Sequence, residues 1–338
     1  MDKSINELCH VSLIRLSMCL CFITGHALIL SKEAQAGEKG TVTALVENDY
    51  FAQRDRNYTN GLRLSYVTPT IEAREFEKRL LGPDDGLTKH RRSYSIGQAL
   101  FTPDDIFTAD PQPNDHPYAG YLFGEYALVA EHKQTIEIFT VEFGLVGPWA
   151  QGEETQNLFH RQTGREVAEG WDHQIDNEPA LTLSYDRKLP PVLDFDAGLL
   201  EIDMSPSFGG SLGNVRTHAQ AGLSIRIGSN LPTDYGPARI RPSLTGAGYF
   251  SSDQPISWYA FGGIQGRAVV HSIFLDGSLF DDTPPGVNSE PCVSDIQTGL
   301  AIQVAGVQFA WTYVFRSERF EGQEGSDRFG AVSLSFKL

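Results

Sequence analysis

The sequence is poor in cysteine, methionine and positive charge. Its 338 residues include 4 cysteines and 3 methionines, and 43 acidic side chains outnumber 27 Lys and Arg side chains. The net charge of −16 argues against a nucleic-acid-binding protein, which needs a basic surface. This acidity fits a partner reached through divalent cations better than one bound by direct attraction to phosphate.

Long apolar runs are missing after the first 36 residues. A membrane-spanning helix needs about 20 consecutive apolar residues, so a polytopic helical membrane protein is excluded. Gly, Phe and Tyr are abundant instead, with 33, 20 and 12 residues.

The first 36 residues resemble a secretory signal peptide. Lys3 and Arg15 precede the apolar run Leu16–Leu30, and an A-x-A cleavage pattern ends at Ala36. A retained N-terminal anchor is the alternative, but the run is short and leads directly into the cleavage pattern. Cleavage leaves Cys292 as the single cysteine, so an internal disulfide and a multi-cysteine metal site are excluded.

Residues 37–338 alternate apolar and polar side chains in short segments, as in 139–145, 219–228 and 307–315. A period of two is typical of strands with one apolar face. The polar faces are rich in Gly, Ser, Thr and Gln, and the last strand runs to the C-terminal residue, as in outer-membrane barrels. The prediction is an all-β fold, a transmembrane antiparallel β-barrel in the bacterial outer membrane. A soluble sandwich is the alternative.

Twelve candidate strands can be counted, and single-chain bacterial barrels require an even number. The predicted strands are 41–51, 60–69, 91–102, 119–131, 135–147, 178–189, 195–205, 217–228, 257–271, 296–305, 306–316 and 329–338.

Strand parity assigns the connections to the two ends of the barrel. With a periplasmic N-terminus, connections 52–59, 103–118 and 148–177 lie on the outer rim. Segments 70–90 and 229–256 are long for periplasmic turns. We expect a short helix in the first and consider a miscounted strand pair in the second.

Two polar clusters should therefore meet at the outer rim. The first closes one strand and opens the next, over 47–51 and 55–61. The second lies in the long connection 148–177, where polar spacing predicts a short helix against the rim. The second cluster contains Gln156, Asn157, His160, Arg161, Glu166, Trp171 and Gln174.

Three blocks of these residues resemble the outer-membrane lipid A deacylase family of the LpxR type. They read END-F---DR-YTNG-RLSY--P over 47–69, D-PYAGY over 115–121 and QN--H---G-E over 156–166. The resemblance implies a twelve-stranded barrel and Ca²⁺-dependent removal of the 3′-linked acyloxyacyl chain of lipid A. It also implies a site between the barrel wall and a helix of an outer loop.

Five residues match the family's functional positions. The resemblance implies an essential Asn-Asp pair at Asn48 and Asp49, a functional threonine at Thr59, a catalytic histidine at His160 and a functional glutamate at Glu166. The family's Lys-Arg pair of the second outer loop is missing, because residues 107–110 read Phe-Thr-Ala-Asp. Recognition of the lipid A phosphates through that loop therefore does not carry over.

The chemistry of these residue types agrees with this assignment. Ester hydrolysis needs an activated water, and histidine is the side chain suited to act as a general base near neutral pH. We expect Glu166 to accept a hydrogen bond from the other ring nitrogen of His160. The oxygens of Asp49 and Asn48 suit a hard cation such as Ca²⁺, which polarises an ester carbonyl.

Two further sequence patterns resemble functional motifs only in part. Residues 209–213 match G-x-S-x-G, but a nucleophile elbow needs a strand, a turn and a helix, and strand-like alternation follows from Thr217. We predict a glycine-rich loop there. Asp104, Asp105 and Asp110 are candidates for a weak second cation site, without the spacing of an EF-hand.

The sequence thus predicts a monomeric outer-membrane hydrolase that acts on lipid A within lipopolysaccharide, with Asp49 and His160 facing each other across one cleft. An outer-membrane phospholipase on the same scaffold is the enzymatic alternative. A barrel that serves as a pore or a binding protein is the non-enzymatic alternative.

Overall fold

The structure is a computed structural model that describes residues 38–49, 57–81, 87–240, 248–251, 254–280 and 286–338. The predicted signal peptide lies outside the described residues.

Twelve long antiparallel strands form a closed barrel, which confirms the predicted fold class. Each strand pairs with its neighbours along the chain, β12 pairs with β1, and β6 pairs with β7. The strands are β1 Thr41–Asn48, β2 Asn57–Val67, β3 Thr88–Thr102, β4 Ala119–His132, β5 Thr135–Val146, β6 Glu178–Lys188, β7 Glu201–Gly213, β8 Arg216–Ser229, β9 Ile256–Ser272, β10 Cys292–Val304, β11 Val307–Arg316 and β12 Asp327–Lys337.

The strands have an apolar outer face and a polar inner face. In β10, exposed and buried residues alternate over the whole strand, with Ile296 and Leu300 exposed and Asp295 and Gln297 buried. The outward side chains suit lipid, and the inward polar groups fill the barrel interior, which we call the lumen. Cys292 begins this strand as an exposed free thiol.

The two rims carry different connections. The end of the barrel that holds Asp49 and the connections 103–118 and 147–177 is the outer rim in the predicted orientation. Residues 52–56 of the predicted connection 52–59 lie outside the described residues. Helix α2 (Gly152–Thr163) lies in the connection 147–177, where the sequence predicted it. Helix α3 (Ile273–Asp276) follows β9 on the same rim.

The sequence prediction was wrong for the seventh strand. Residues 209–213 lie in β7 rather than in a glycine-rich loop. The predicted strand 195–205 overlaps the end of a four-residue strand, Leu193–Asp196, and only the start of β7. The glycines permit close strand contact, since a Cβ at Gly213 would lie 2.2 Å from the Leu181 carbonyl oxygen. Ser211 contacts Ser184 across the sheet at 2.8 Å, without the turn and helix of a nucleophile elbow.

Segment 70–90 contains the predicted short helix, α1 (Glu75–Leu81), at the rim opposite the site. Glu77 is buried and accepts hydrogen bonds from the Arg92 guanidinium at 2.7 and 3.0 Å and from the Arg74 N–H at 2.7 Å. Burial raises the pKa of Glu77, but the hydrogen bonds from Arg92 and Arg74 outweigh burial and lower this pKa below its ordinary value.

Segment 229–256 contains a minimal strand pair, Thr233–Asp234 with Phe250–Ser251, outside the barrel sheet. The buried residues of this segment, such as Tyr235, Ile240 and Tyr249, pack inside the barrel. Tyr235 is fully buried and receives a hydrogen bond from Arg91 of β3 at 2.5 Å, and Thr43 of β1 donates to the Gly248 carbonyl at 3.3 Å. The barrel count stays at twelve because these two short strands pair with each other and not with the barrel strands.

Among the described residues, no helix combines the length and the apolar character that crossing a membrane requires.

Candidate active site between the barrel wall and an outer helix

A cavity of about 240 Å³ lies between the outer face of β1–β3 and helix α2. It brings together four of the five predicted site residues, which come from connections far apart in the sequence. The cavity is lined by Val46, Asn48, Asp49, Thr59, Asn60, Leu62, Leu100, Thr155, Gln156, Phe159, His160 and Arg165.

Strand alternation presents Asn48 to this cavity. Asn48 ends β1 and is paired with Asn60 of β2, and both line the cavity. Asp49 follows Asn48 directly, and its side chain is almost completely buried. A buried carboxylate is stable only with hydrogen-bond donors or a cation around it, so the cavity wall is a suitable place for either.

A β-bulge in β2 adds Thr59 to the same wall. Tyr58 pairs with Phe101 and Asn60 pairs with Leu100, so Thr59 is the extra residue of the strand. A bulge redirects side chains near functional sites, and here it lets Thr59 line the cavity beside Asn60. The Thr59 hydroxyl is held by the Thr102 hydroxyl at 2.7 Å.

Helix α2 forms the opposite wall. Acidic residues Glu153 and Glu154 in its first turn suit the helix dipole, and Gly164 ends it in the left-handed conformation with φ of 73°. Gly152, Gln156 and His160 are spaced by four residues and therefore share the buried face.

The start of the helix is fixed to the barrel. Gln98 of β3 donates to the Ala150 carbonyl at 2.7 Å. Gly120 of β4 packs directly on Gly152, since a Cβ at Gly120 would lie 3.2 Å from the Gly152 nitrogen. These contacts hold the helix against the wall, which makes the cavity a fixed feature.

His160 is oriented by the backbone of the loop after the helix. Its Nδ1 lies 2.5 Å from the Glu166 carbonyl oxygen. A carbonyl only accepts hydrogen bonds, so Nδ1 carries the proton and Nε2 is the basic nitrogen of the neutral ring. The sequence expected the Glu166 carboxylate in this role. The structure places that side chain in an exposed position and assigns the contact to the main chain.

The loop is itself held to the helix by Asn157. Its Oδ1 accepts from the Ala168 N–H at 2.8 Å, and its Nδ2 donates to the Ala168 carbonyl at 3.3 Å. The Arg165 N–H donates to the His160 carbonyl at 2.8 Å. Arg165 lines the cavity and brings a positive charge to it.

Gln156 is a site residue to which sequence reasoning gave no role. Its Oε1 accepts from the Trp171 indole N–H at 2.7 Å, which fixes the orientation of the amide. Its Nε2 is buried and forms no hydrogen bond with any described residue. The helical spacing from His160 was the available signal, since residues four apart lie on the same helix face.

Of the two predicted cation sites, only the one at Asn48 and Asp49 lies in the cavity. Asp49 and Asn48 share the cavity, and their oxygens, with the Thr59 hydroxyl, form an all-oxygen donor set that fits a hard cation such as Ca²⁺. In the described part of the chain, no group of three or more His, Cys, Asp or Glu residues is placed to hold a metal ion. The structure therefore gives no support to a second site at Asp104, Asp105 and Asp110.

The loop that lacks the family's Lys-Arg pair does not reach the cavity. None of residues 107–110 lines it, and Phe107 and Asp110 are exposed. The Asp105 carboxylate accepts the Phe107 N–H at 3.0 Å and so shapes its own loop.

Comparisons with known proteins agree with this architecture. The model of the family described as outer membrane protein LpxR matches residues 16–338. LpxR from Salmonella typhimurium aligns over 88% of this chain and 100% of its own, with 19% identity and a TM-score of 0.73, which shows a shared fold. The β-domain of the Bordetella autotransporter BrkA aligns over 89% and 99% of the two chains, with 9% identity and a TM-score of 0.43. No curated protein sequence matches the chain.

Proposed function

The chain belongs to the family of the outer membrane protein LpxR, and we propose that it is a monomeric hydrolase that removes the ester-linked 3′-acyl chain of lipid A. It is an outer-membrane protein with a closed barrel. Lipid A, as part of lipopolysaccharide, is the substrate that this proposal assigns to it.

One observation carries the proposal: the cavity with the histidine opens on the lipid-facing side of the wall. Val46, Leu62 and Phe159 line it together with His160, and these three apolar side chains are each 39–40% exposed. An acyl chain can lie against such apolar groups while its ester enters the polar part. A substrate that stays in the membrane is therefore favoured over a soluble one.

His160 serves as the general base. Nε2 takes a proton from a water molecule, and the resulting hydroxide attacks the ester carbonyl carbon. The tetrahedral intermediate then breaks the bond between that carbon and the sugar oxygen, which leaves with the proton from Nε2. The products are a free fatty acid and a sugar hydroxyl, and the ring returns to its neutral form. The Glu166 carbonyl stabilises the imidazolium between these steps.

The oxyanion of the intermediate is stabilised from both walls. Gln156 Nε2 is a buried donor that the Trp171 contact already orients, so it needs little reorganisation. The Thr59 hydroxyl offers a second donor from β2. Preorganised donors in a site with little water strengthen as charge develops on the oxygen.

Ca²⁺ fits the oxygens of Asp49 and Asn48, and when bound it would polarise the ester carbonyl and take up negative charge. Arg165 provides a fixed positive charge on the same cavity. We assign it to an anionic group of the substrate, in place of the absent Lys-Arg pair.

Purified protein in mixed micelles with Ca²⁺ tests the proposal. One reaction contains lipid A, a second contains phospholipid, and fatty acid release is followed in both. Release from lipid A alone supports the proposal. Release from phospholipid alone makes the protein a phospholipase, and release from neither leaves a non-enzymatic barrel. His160→Ala is the matched inactive control, and the exposed His173→Ala is expected to behave as wild type.

A further inference from the structure

The wall that carries the candidate site has a second polar network on its inner face. Glu47 precedes Asn48, and Tyr58 precedes Thr59, so alternation turns Glu47 and Tyr58 into the lumen behind the cavity. Both side chains are buried. They belong to the sequence block over 47–69, although no step of the proposed chemistry uses them.

Glu47 accepts hydrogen bonds from three groups. The Tyr58 hydroxyl donates to Oε2 at 2.7 Å, Arg239 Nε donates to Oε1 at 2.5 Å, and the Ile240 N–H donates to Oε1 at 3.1 Å. Hydrogen bonds to a buried charged group are strong and have a narrow geometry. Glu47 therefore ties the end of β1 to the start of β2 and to residues 234–240, which we call the lumenal segment.

The lumenal segment is in turn held by the far side of the barrel. Arg239 Nη1 donates to Gln297 Oε1 of β10 at 3.1 Å. The Tyr58 ring packs edge-on against the ring of Phe329 of β12, and the two ring centroids are 5.0 Å apart. The network thus crosses the lumen from β1 and β2 to β10 and β12.

Gly61 leaves the room that this network needs. It is paired with Glu47 across the β1–β2 ladder. A Cβ at this position would lie 2.2 Å from the Tyr58 hydroxyl oxygen and 2.6 Å from Ile240 Cδ1. Any larger residue would force Tyr58 or Ile240 away from Glu47.

We propose that Glu47, Tyr58 and Arg239 are positioning residues that hold Asn48, Asp49 and Thr59 in place from the lumenal side of the wall. This inference rests on the proposed function of the cavity. Asn48, Asp49 and Thr59 each lie one or two positions along the backbone from Glu47 or Tyr58. A displacement of about 1 Å at a catalytic group can cost roughly 100-fold in rate.

The barrel offers a matched control network with the same chemistry. Glu142 of β5 is buried and accepts from the Tyr121 hydroxyl at 2.6 Å and from Arg216 Nη2 at 2.6 and 2.7 Å. The residues on either side of Glu142 do not line the catalytic cavity.

Tyr121 is left unchanged in the control, because Gly120 beside it packs on Gly152 of helix α2. Tyr185 of β6, whose hydroxyl donates to Glu137 of β5, provides the tyrosine control. Equal substitutions at these positions therefore separate positioning from general stability.

The test compares Glu47→Gln and Tyr58→Phe with Glu142→Gln and Tyr185→Phe. Each variant is measured for kcat and KM on lipid A, for its unfolding midpoint, and for hydrogen exchange of residues 41–49 and 57–62. We expect the first pair to lose at least tenfold in kcat with little change in KM, and to exchange faster in these two segments. The control pair should keep kcat within about twofold of wild type, although its unfolding midpoint should decrease by a similar amount.

Equal losses of kcat and equal exchange in the two pairs would overturn the inference. If Glu47→Gln fails to fold, Tyr58→Phe removes a single hydroxyl and gives the same comparison with Tyr185→Phe. If wild-type protein releases no fatty acid, the proposed function fails, while exchange of the two segments still decides whether Glu47 and Tyr58 hold the wall.

Discussion

The two faces of the same barrel wall use buried polar groups in different ways. On the lumenal face, carboxylates lie in ion pairs with arginine, as Asp295 does with Arg267 and Arg316 at 2.8 Å. On the lipid-facing side, the cavity combines Asp49 with a histidine, amides and a hydroxyl. The lumenal groups neutralise one another and fix the fold. The cavity groups can bind a cation and exchange protons, so we assign chemistry to that face alone.

The largest expected effect is the loss of the general base on the lipid-facing side of the wall. His160→Ala should lower kcat by roughly 10³–10⁴-fold, because no other described histidine lines the cavity to take the proton from water. The unfolding midpoint should stay close to wild type, since the side chain belongs to an outer helix rather than to the sheet. Steady-state kinetics with His173→Ala as control checks this, and a variant that keeps a tenth of the activity would contradict it.

Removing Ca²⁺ or its proposed ligand Asp49 is expected to have the next largest effect. Chelation should abolish wild-type activity, and added Ca²⁺ should restore it. Asp49→Asn should stay roughly 10²–10³-fold below wild type at saturating Ca²⁺, which corresponds to a few kcal/mol of transition-state stabilisation. Asp172→Asn, an exposed aspartate of an outer loop, is the control. Full activity of Asp49→Asn would remove the carboxylate from the mechanism.

The side-chain amide of Gln156 should stabilise the transition state without contributing to substrate binding. Gln156→Ala is expected to lower kcat by about 100-fold with little change in KM, as for loss of one oxyanion donor. Gln162→Ala, an exposed glutamine of the same helix, should have no effect. An effect of Gln156→Ala confined to KM would assign Gln156 to substrate binding instead.

At the opposite rim, substitution of Glu77 should lower the free energy of unfolding without changing kcat. Because the pKa of Glu77 is lowered, its stabilising contribution is complete above the ordinary value of 4.5 and is lost as the pH falls below it. Glu77→Gln should cost about 3 kcal/mol near neutral pH and reduce the loss of stability in acid. Unfolding curves against pH check this, with the exposed Glu75→Gln as control. Equal pH dependence in Glu77→Gln and wild type would contradict it.

The smallest effect is expected at Glu166. Its carbonyl, not its carboxylate, contacts His160, so Glu166→Gln should change kcat by no more than about twofold, as for an exposed residue. The exposed Glu169→Gln is the matched control. A large loss specific to Glu166→Gln would restore the carboxylate to the role that the sequence predicted for it.

The fold was predictable wherever side chains alternate with a period of two, because an apolar outer face and a polar inner face leave a direct pattern. Residues 209–213 escaped this reasoning, since their glycines reflect close packing on β6 rather than a turn. The packing of Tyr235 inside the barrel was also not predictable, because it depends on Arg91 of β3 and Glu131 of β4.

The site was predictable in part for a similar reason. The resemblance to the family singled out Asn48, Asp49, Thr59 and His160, their residue types suit the chemistry, and strand parity placed them on one rim. The partner of the His160 ring is a main-chain carbonyl, which no residue type encodes. The importance of Gln156 depends on a donor left without a partner after folding, which only the arrangement of Trp171 and the helix reveals.

Mass spectrometry of lipid A from outer membranes that contain wild type or His160→Ala tests the central claim most directly. We predict that wild type yields lipid A lighter by one ester-linked acyl group, and that the variant, present in equal amount, yields the unmodified mass. Identical spectra from the two membranes, under conditions with Ca²⁺, would contradict the assignment of hydrolysis to the lipid-facing cavity.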